Sequence, residues 1–218
     1  MTPHVRGVIF DLDGTLVDGY DAIATGVNAA RRHFGLHALT HADVRRRVGL
    51  GLSHLMTDVL GAERAEEGAA VFRRAYDAAC LPETRAVPGL APTLATLRDR
   101  GFRMAVASNK PVSFSVRILD HLEVTSYFDL VAGPETAGAI KPDPRMLQAC
   151  LDAMATRAKE AIYVGDMALD ADSGNRAGVR VVLVAGGSSP AEELAATGCP
   201  VLAALAELPA WLPPSPTG

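Results

Sequence analysis

The stretch Val8-Ile9-Phe10-Asp11-Leu12-Asp13-Gly14-Thr15 decides the reading of this chain. An apolar run of strand type ends in two carboxylates two residues apart, a spacing that projects both to one side of a strand. Like charges so close raise each other's pKa and cost energy. A hard divalent cation, which prefers oxygen ligands, would neutralise them. Gly14 lets the chain turn sharply, and Thr15 brings a hydroxyl and a backbone N–H to the same point. The set suits phosphoryl chemistry: a carboxylate nucleophile, a second carboxyl for proton transfer and a metal to screen phosphate charge. The ordinary alternative is a turn after a strand, because Asp and Gly are common turn residues.

Three later segments bear on that choice. Met104-Ala105-Val106-Ala107-Ser108-Asn109-Lys110-Pro111 is a second apolar run ending in small polar residues, with Pro111 suited to the first turn of a helix. A hydroxyl and free N–H groups at such a point form an anion site, though Ser108-Asn109 also reads as a plain helix cap. In Ile140-Lys141-Pro142-Asp143-Pro144, the proline keeps Lys141 in extended backbone, where it can act as a point charge on phosphate or sit as a solvated loop lysine. Ala161-Ile162-Tyr163-Val164-Gly165-Asp166 ends a third run, and Asp170 lies one helical turn beyond Asp166, so both can face one pocket. Acids at a helix N-terminus are also favoured for their own sake, which suits Asp172 better. All these residues fall at the carboxyl end of a strand or in the loop beyond it, the edge where open α/β sheets bind ligands.

In their order and spacing, these four motifs resemble the haloacid dehalogenase-like superfamily of phosphohydrolases, over about residues 7–184. The resemblance implies that Asp11 is the nucleophile forming an aspartyl-phosphate and Asp13 the general acid/base. It implies that Ser108 holds a phosphate oxygen with Asn109 and Thr15 in the same cradle, and that Lys141 orients the nucleophile and balances its charge. Magnesium would be held by Asp11, Asp166 and the backbone carbonyl of Asp13, with Asp170 a ligand or a support. A site with four carboxylates needs the lysine and a cation on electrostatic grounds too.

The 218 residues suffice for one good core plus a small accessory domain, and 49% apolar content excludes general disorder. A formal charge of −4, from 21 basic and 25 acidic residues, argues against non-specific nucleic-acid binding. No apolar run approaches the ~20 residues of a membrane span, and Asp11 interrupts the N-terminal apolar stretch, unlike a signal peptide. Cys80, Cys150 and Cys199 read as reduced thiols of a cytoplasmic protein. The expected partner is a small phosphorylated metabolite, with no nucleic acid or membrane, and the chain is expected to act as a monomer or homodimer.

Strand–helix alternation predicts an α/β fold: a Rossmann-like parallel sheet with helices on both faces. Strands are expected at residues 5–10, 103–107, 130–132, 161–165 and 180–185, with a short one near 200–202. Helices are expected at 91–100, 111–122, 145–155 and 169–177, with Gly101 and Gly178 as C-terminal caps. Residues 16–86 show no strand pattern and several helical segments, at 21–33, 42–48, 52–60 and 63–80. They resemble the helical cap that many superfamily members insert after the first motif. The expected division is therefore a catalytic core of 1–15 and 87–212, a cap of 16–86 and a mobile tail of 213–218.

Two further patterns carry less. His33, His37 and His41 recur every four residues, but Gly35 interrupts them and Thr40 reads as a helix N-cap, which argues against a metal site. Adjacent residues point around a helix, so the basic triplet Arg45-Arg46-Arg47 should be mostly solvated, with at most one arginine turned to the core. Dehalogenases and phosphonate-cleaving relatives lack the second carboxylate, which Asp13 supplies here. A β-phosphoglucomutase-type activity is disfavoured by Ile23, where the mutases carry histidine, and by Leu52, where they carry arginine. Asp18-Gly19-Tyr20-Asp21-Ala22-Ile23, Val48-Gly49-Leu50-Gly51 and the Ser108 and Lys141 segments are similar to phosphoglycolate phosphatases. Pyrophosphatase and sugar-phosphate phosphatase are the rival activities, and a non-enzymatic binding module would be favoured by loss of a motif carboxylate, which has not occurred. In the cap, Arg47 and Leu50 are expected nearest the mouth of the site, with Arg47 pairing a substrate carboxylate.

Overall fold

The computed structural model describes residues 5–213. The tail expected to be mobile lies outside the described residues from position 214 onward. A six-stranded sheet in the order β5-β4-β1-β6-β7-β8 forms the core. Its strands are β1 (Gly7–Phe10), β4 (Arg103–Ala107), β5 (Leu130–Ala132), β6 (Ala161–Gly165), β7 (Arg180–Val184) and β8 (Val201–Leu202). Every pairing is parallel, with β1 central between β4 and β6. A parallel strand covered on both faces reads as a continuous apolar run, and all four residues of β1 are buried.

Alternate side chains of β1 feed two separate clusters. Val8 and Phe10 join Leu94, Leu97, Met104 and Ile162 on one face, where α5 (Leu90–Asp99) and α6 (Val112–His121) pack. Ile9 joins Met146, Leu147, Cys150 and Tyr163 on the other, under α8 (Arg145–Ala153) and α9 (Ala168–Ala177). Gly178 closes α9 in the left-handed conformation, with φ 69°, which a Cβ would penalise. Pro111 stands just outside α6 rather than in its first turn.

Between β1 and the rest of the sheet lie α1 (Tyr20–His33), α2 (His41–Arg45), α3 (Gly51–Leu60) and α4 (Ala65–Ala79), which share a third apolar cluster. Ala22, Ile23, Gly26, Val27 and Ala30 are the buried stripe of α1. A Cβ at Gly26 would stand 2.6 Å from the ring of Phe72, so glycine is what lets α1 and α4 approach. Thr40 caps α2 by accepting from the Asp43 N–H. The absence of strand expected for 16–86 is corrected: β2 (Val17–Asp18) pairs antiparallel with β3 (Arg85–Ala86), joining the two chain crossings between sheet and helices. Strands of two residues have no periodicity to read, and their pairing spans almost the whole insertion. Among the described residues no helix is long and apolar enough to cross a membrane.

Candidate active site

Asp11 is the first residue beyond β1, and its N–H donates to the Val164 carbonyl at 2.8 Å, so the sheet itself fixes its position. The next turn is tight: the Leu12 carbonyl accepts from the N–H groups of Thr15, Leu16 and Val17. Gly14, with φ +83°, is required twice over, since a Cβ there would lie 2.3 Å from Asp166 Oδ2. Lys141 Nζ enters from the loop after α7 (Pro134–Ala137) and stands 2.9 Å from Asp11 Oδ1 and 2.8 Å from Asp170 Oδ1. Tyr163 OH donates to the same Asp170 oxygen at 2.8 Å and accepts from Lys141 at 3.1 Å.

Burial shapes the electrostatics. Desolvation raises the Asp11 carboxyl to about 6, against the pull of Lys141 and with a push from Asp170. Desolvation, then Asp170 and Asp11, hold Asp166 well above the ordinary carboxylate range. Burial pushes Lys141 toward its neutral form, but the adjacent Asp11 and Asp170 outweigh it and raise the ammonium above its ordinary range. Lys110 is held charged the same way, by Asp13 and Tyr76. Its Nζ lies 3.0 Å from Asp13 Oδ2 and 2.6 Å from the hydroxyl of Tyr76, which α4 carries. Asp13 Oδ1 is buried with no hydrogen-bond partner.

The expected metal carboxylates Asp11, Asp166 and Asp170 place one oxygen each within 4.8 Å of one another, all buried. With Asp13, four carboxylates face the two ammonium groups of Lys110 and Lys141. The remaining negative charge and the all-oxygen donor set fit a hard divalent cation. The three acids are not equivalent. Asp170 is saturated: Oδ1 accepts from Lys141 and Tyr163, and Oδ2 from the N–H groups of Asp166 and Met167. Asp11 Oδ1 meets only the Lys141 ammonium, as an ion pair at 2.9 Å, and Asp166 Oδ1 accepts only from Thr15 at 3.3 Å. Asp11 and Asp166 therefore have oxygens to offer a cation, whereas both oxygens of Asp170 are engaged by Lys141, Tyr163 and the turn after β6.

Other expected residues take different tasks. Thr15, expected on phosphate, turns its hydroxyl to Asp166. Asn109 lines the cavity, but its side chain ties loops together: Oδ1 accepts from the Lys141 N–H at 2.7 Å, and Nδ2 donates to the Gly49 carbonyl at 2.8 Å. Ser108 is buried beside them, facing a cavity of about 740 Å³, open mouth included, that also holds Asp11, Asp13 and Lys141. Arg47 and Leu50 are corrected. They lie along a neighbouring surface groove, where Arg47 pairs with Asp58 at 2.9 Å and donates to the Asp43 carbonyl. Of the basic triplet it is Arg45 that turns to the core, donating to the carbonyls of Gly186 and Gly187 and stacking 4.6 Å over the ring of Tyr20. His33 and His41 pair with Glu67 and Asp21, which leaves the histidine repeat without a common centre.

Lys110, Tyr20, Tyr163 and Ser188 had no role in the sequence reading. The Ser188 N–H donates to Asp166 at 2.6 Å and its hydroxyl meets Tyr20 at 2.7 Å. The tyrosines look like core residues in sequence, and a buried phenol that needs a partner was the available clue.

The profile of the haloacid dehalogenase-like hydrolases matches residues 8–184. The chain belongs to that family. It is 35% identical over 179 residues to a phosphoglycolate phosphatase of Aquifex aeolicus, covering 82% of this chain and 84% of the relative. To a phosphoglycolate phosphatase of Chromobacterium violaceum it is 30% identical over 201 residues, covering 88% and 90%. A predicted phosphatase from Clostridium acetobutylicum superposes with a TM-score of 0.87 at 25% identity, over 95% of this chain and 98% of that one. The haloacid dehalogenase-like chain is thus a phosphatase.

Proposed function

We propose that this phosphatase hydrolyses phosphoglycolate through a covalent phosphate on Asp11, with magnesium as its cation. The observation carrying the mechanism is Lys141 Nζ at 2.9 Å from Asp11 Oδ1, with Asp13 two residues away in the same cavity. The substrate assignment rests on the phosphoglycolate phosphatases to which the chain is similar.

Asp11 attacks phosphorus, forming a new P–O bond as the ester P–O bond breaks. Asp13 gives its proton to the departing alcohol oxygen. Water then attacks the Asp11-bound phosphorus, Asp13 takes the water's proton, and inorganic phosphate leaves as the Asp11–phosphorus bond breaks. Lys141 holds Asp11 ionised and aimed, Asp170 and Tyr163 fix Lys141, and Ser108 offers its hydroxyl to a phosphate oxygen. Magnesium held by Asp11 and Asp166, with the Asp13 backbone carbonyl, would screen the phosphate charge.

The test is phosphate release from a phosphomonoester panel with magnesium, joined to mass spectrometry after rapid quench. Wild type should show a phosphate adduct on Asp11. Asp11→Asn should lose turnover on the order of 10⁴-fold or more while remaining folded, because an amide is no nucleophile. An active Asp11→Asn protein overturns the covalent mechanism.

A further inference from the structure

Charge is distributed unevenly around the cavity. On its floor the cations are spent: Lys141 on Asp11 and Asp170, Lys110 on Asp13 and the Tyr76 hydroxyl. The wall is apolar, with Ile23, Leu52, Leu55, Phe72 and Phe114 turned to it. Arg73 also lines the cavity, from the same face of α4 as Tyr76, one helical turn away. Among the described residues it forms no ion pair or hydrogen bond. Its natural helical partner is Asp77, four residues on, but Arg117 holds that carboxylate from α6. The hydroxyl three residues on, Tyr76, is taken by Lys110. The protein thus commits both neighbouring partners elsewhere and leaves this exposed arginine of the cavity lining unpaired among the described residues.

We propose that Arg73 selects phosphomonoesters carrying a carboxylate at the end opposite the phosphate, with the apolar wall receiving a hydrocarbon body between the two. A guanidinium fork matches a carboxylate in bidentate fashion, and nearby apolar surface weakens competition from water. Phosphoglycolate is the shortest member of this class, and aryl or longer alkyl acids use more of the wall. The selection rests on the phosphatase reading above and replaces Arg47, which Asp58 occupies, as the acid-recognising residue.

The test uses the full chain with magnesium and two ester pairs differing by one carboxylate: phosphoglycolate with ethyl phosphate, and 4-carboxyphenyl phosphate with phenyl phosphate. Within each pair the ratio of kcat/KM, acid over neutral, is independent of the fraction of protein folded. Wild type should show ratios of at least about tenfold, equivalent to ~1.4 kcal/mol of transition-state preference. Arg73→Gln should bring both ratios to near one, Arg73→Lys should keep an intermediate value, and Arg47→Ala should keep the wild-type ratio. Hydrolysis with a wild-type ratio near one, or a ratio that survives Arg73→Gln, overturns the role of Arg73 and leaves the phosphatase reading standing. No phosphate from any of the four esters overturns that reading and this one together.

Discussion

Beside Asp11, Lys141, Tyr163 and Asp170 are buried and held by several partners each, whereas the helical insertion meets the same cavity with apolar side chains, the Tyr76 hydroxyl and one exposed arginine. Asp170 alone accepts four hydrogen bonds. The difference follows from what each region must do. Phosphoryl chemistry needs groups fixed within fractions of an ångström, and only a rigid sheet edge with saturated hydrogen bonding supplies that. On the proposed reading, a helical insertion that grips the leaving group needs shape and one or two charges, which several arrangements of helix residues can provide. The polar points where the two regions meet include Asn109 to the Gly49 carbonyl, Lys110 to Tyr76, Tyr20 to Ser188 and Asp166, Arg117 to Asp77, and Arg45 to the loop carrying Ser188.

The contrast can be broken most sharply at Lys141. Lys141→Met leaves Asp11 and Asp170 buried without their cation, and removing one partner of such a set costs about 3–5 kcal/mol. Urea unfolding in chelator should show that loss, and an unchanged midpoint would mean that the floor is not held by charge pairing. Asp13→Asn comes next. It should slow both formation and breakdown of the phosphorylated enzyme by roughly 100-fold or more, about 2.7 kcal/mol at the barrier. Rapid-quench kinetics with a poor leaving group measure it, and an unaltered first step would move the proton donor elsewhere.

Cation binding sharpens the comparison through pH. The folded Asp11 carboxyl lies at about 6, above its unfolded value of 3.8. Burial of the neutral form is therefore free of penalty below pH 3.8, and this contribution to stability is lost as pH rises through 6. In chelator the melting temperature should carry a downward component over that window, and Asp11→Asn should remove it. Magnesium should raise the wild-type melting temperature more at pH 7.5 than at pH 5. An equal rise at both would detach the cation from Asp11. The smallest effect belongs to Arg47→Ala. Its exposed pair with Asp58 contributes at most about 1 kcal/mol, and kcat/KM should change less than about twofold. A tenfold loss would return Arg47 to the site.

Much of the core was legible because its information is local. Residues 103–107, 130–132 and 161–165 stand as strands over the expected spans, since buried parallel strands announce themselves as short apolar runs. The polar residues that follow them fall together at one sheet edge by topology alone. Lys141 illustrates the limit. Its place before proline suggested an extended loop cation, but nothing nearby in sequence indicated Tyr163, which lies 22 residues away and bonds both Lys141 and Asp170. Lys110 was visible only as part of a motif, because its partner Tyr76 comes from a helix of the cap. Arg45, Arg46 and Arg47 are adjacent, so choosing which one reaches the core required the angle at which α2 meets the loop after β7.

The sequence by itself determined the parallel α/β core, the helical insertion and the carboxylates and lysine gathered at the strand ends. Those features follow from apolar runs, turn residues and element order, each set within a few residues. Only the tertiary structure shows which acid is saturated with hydrogen bonds and which arginine beside the cavity is left unpaired among the described residues. Asp170 is saturated and Asp11 is not, and Arg73 is unpaired while Arg47 is paired, because those states depend on neighbours brought together across the fold. Hydrogen bonds and ion pairs between side chains act over a few ångströms of space, and sequence spacing carries almost no record of which groups share it.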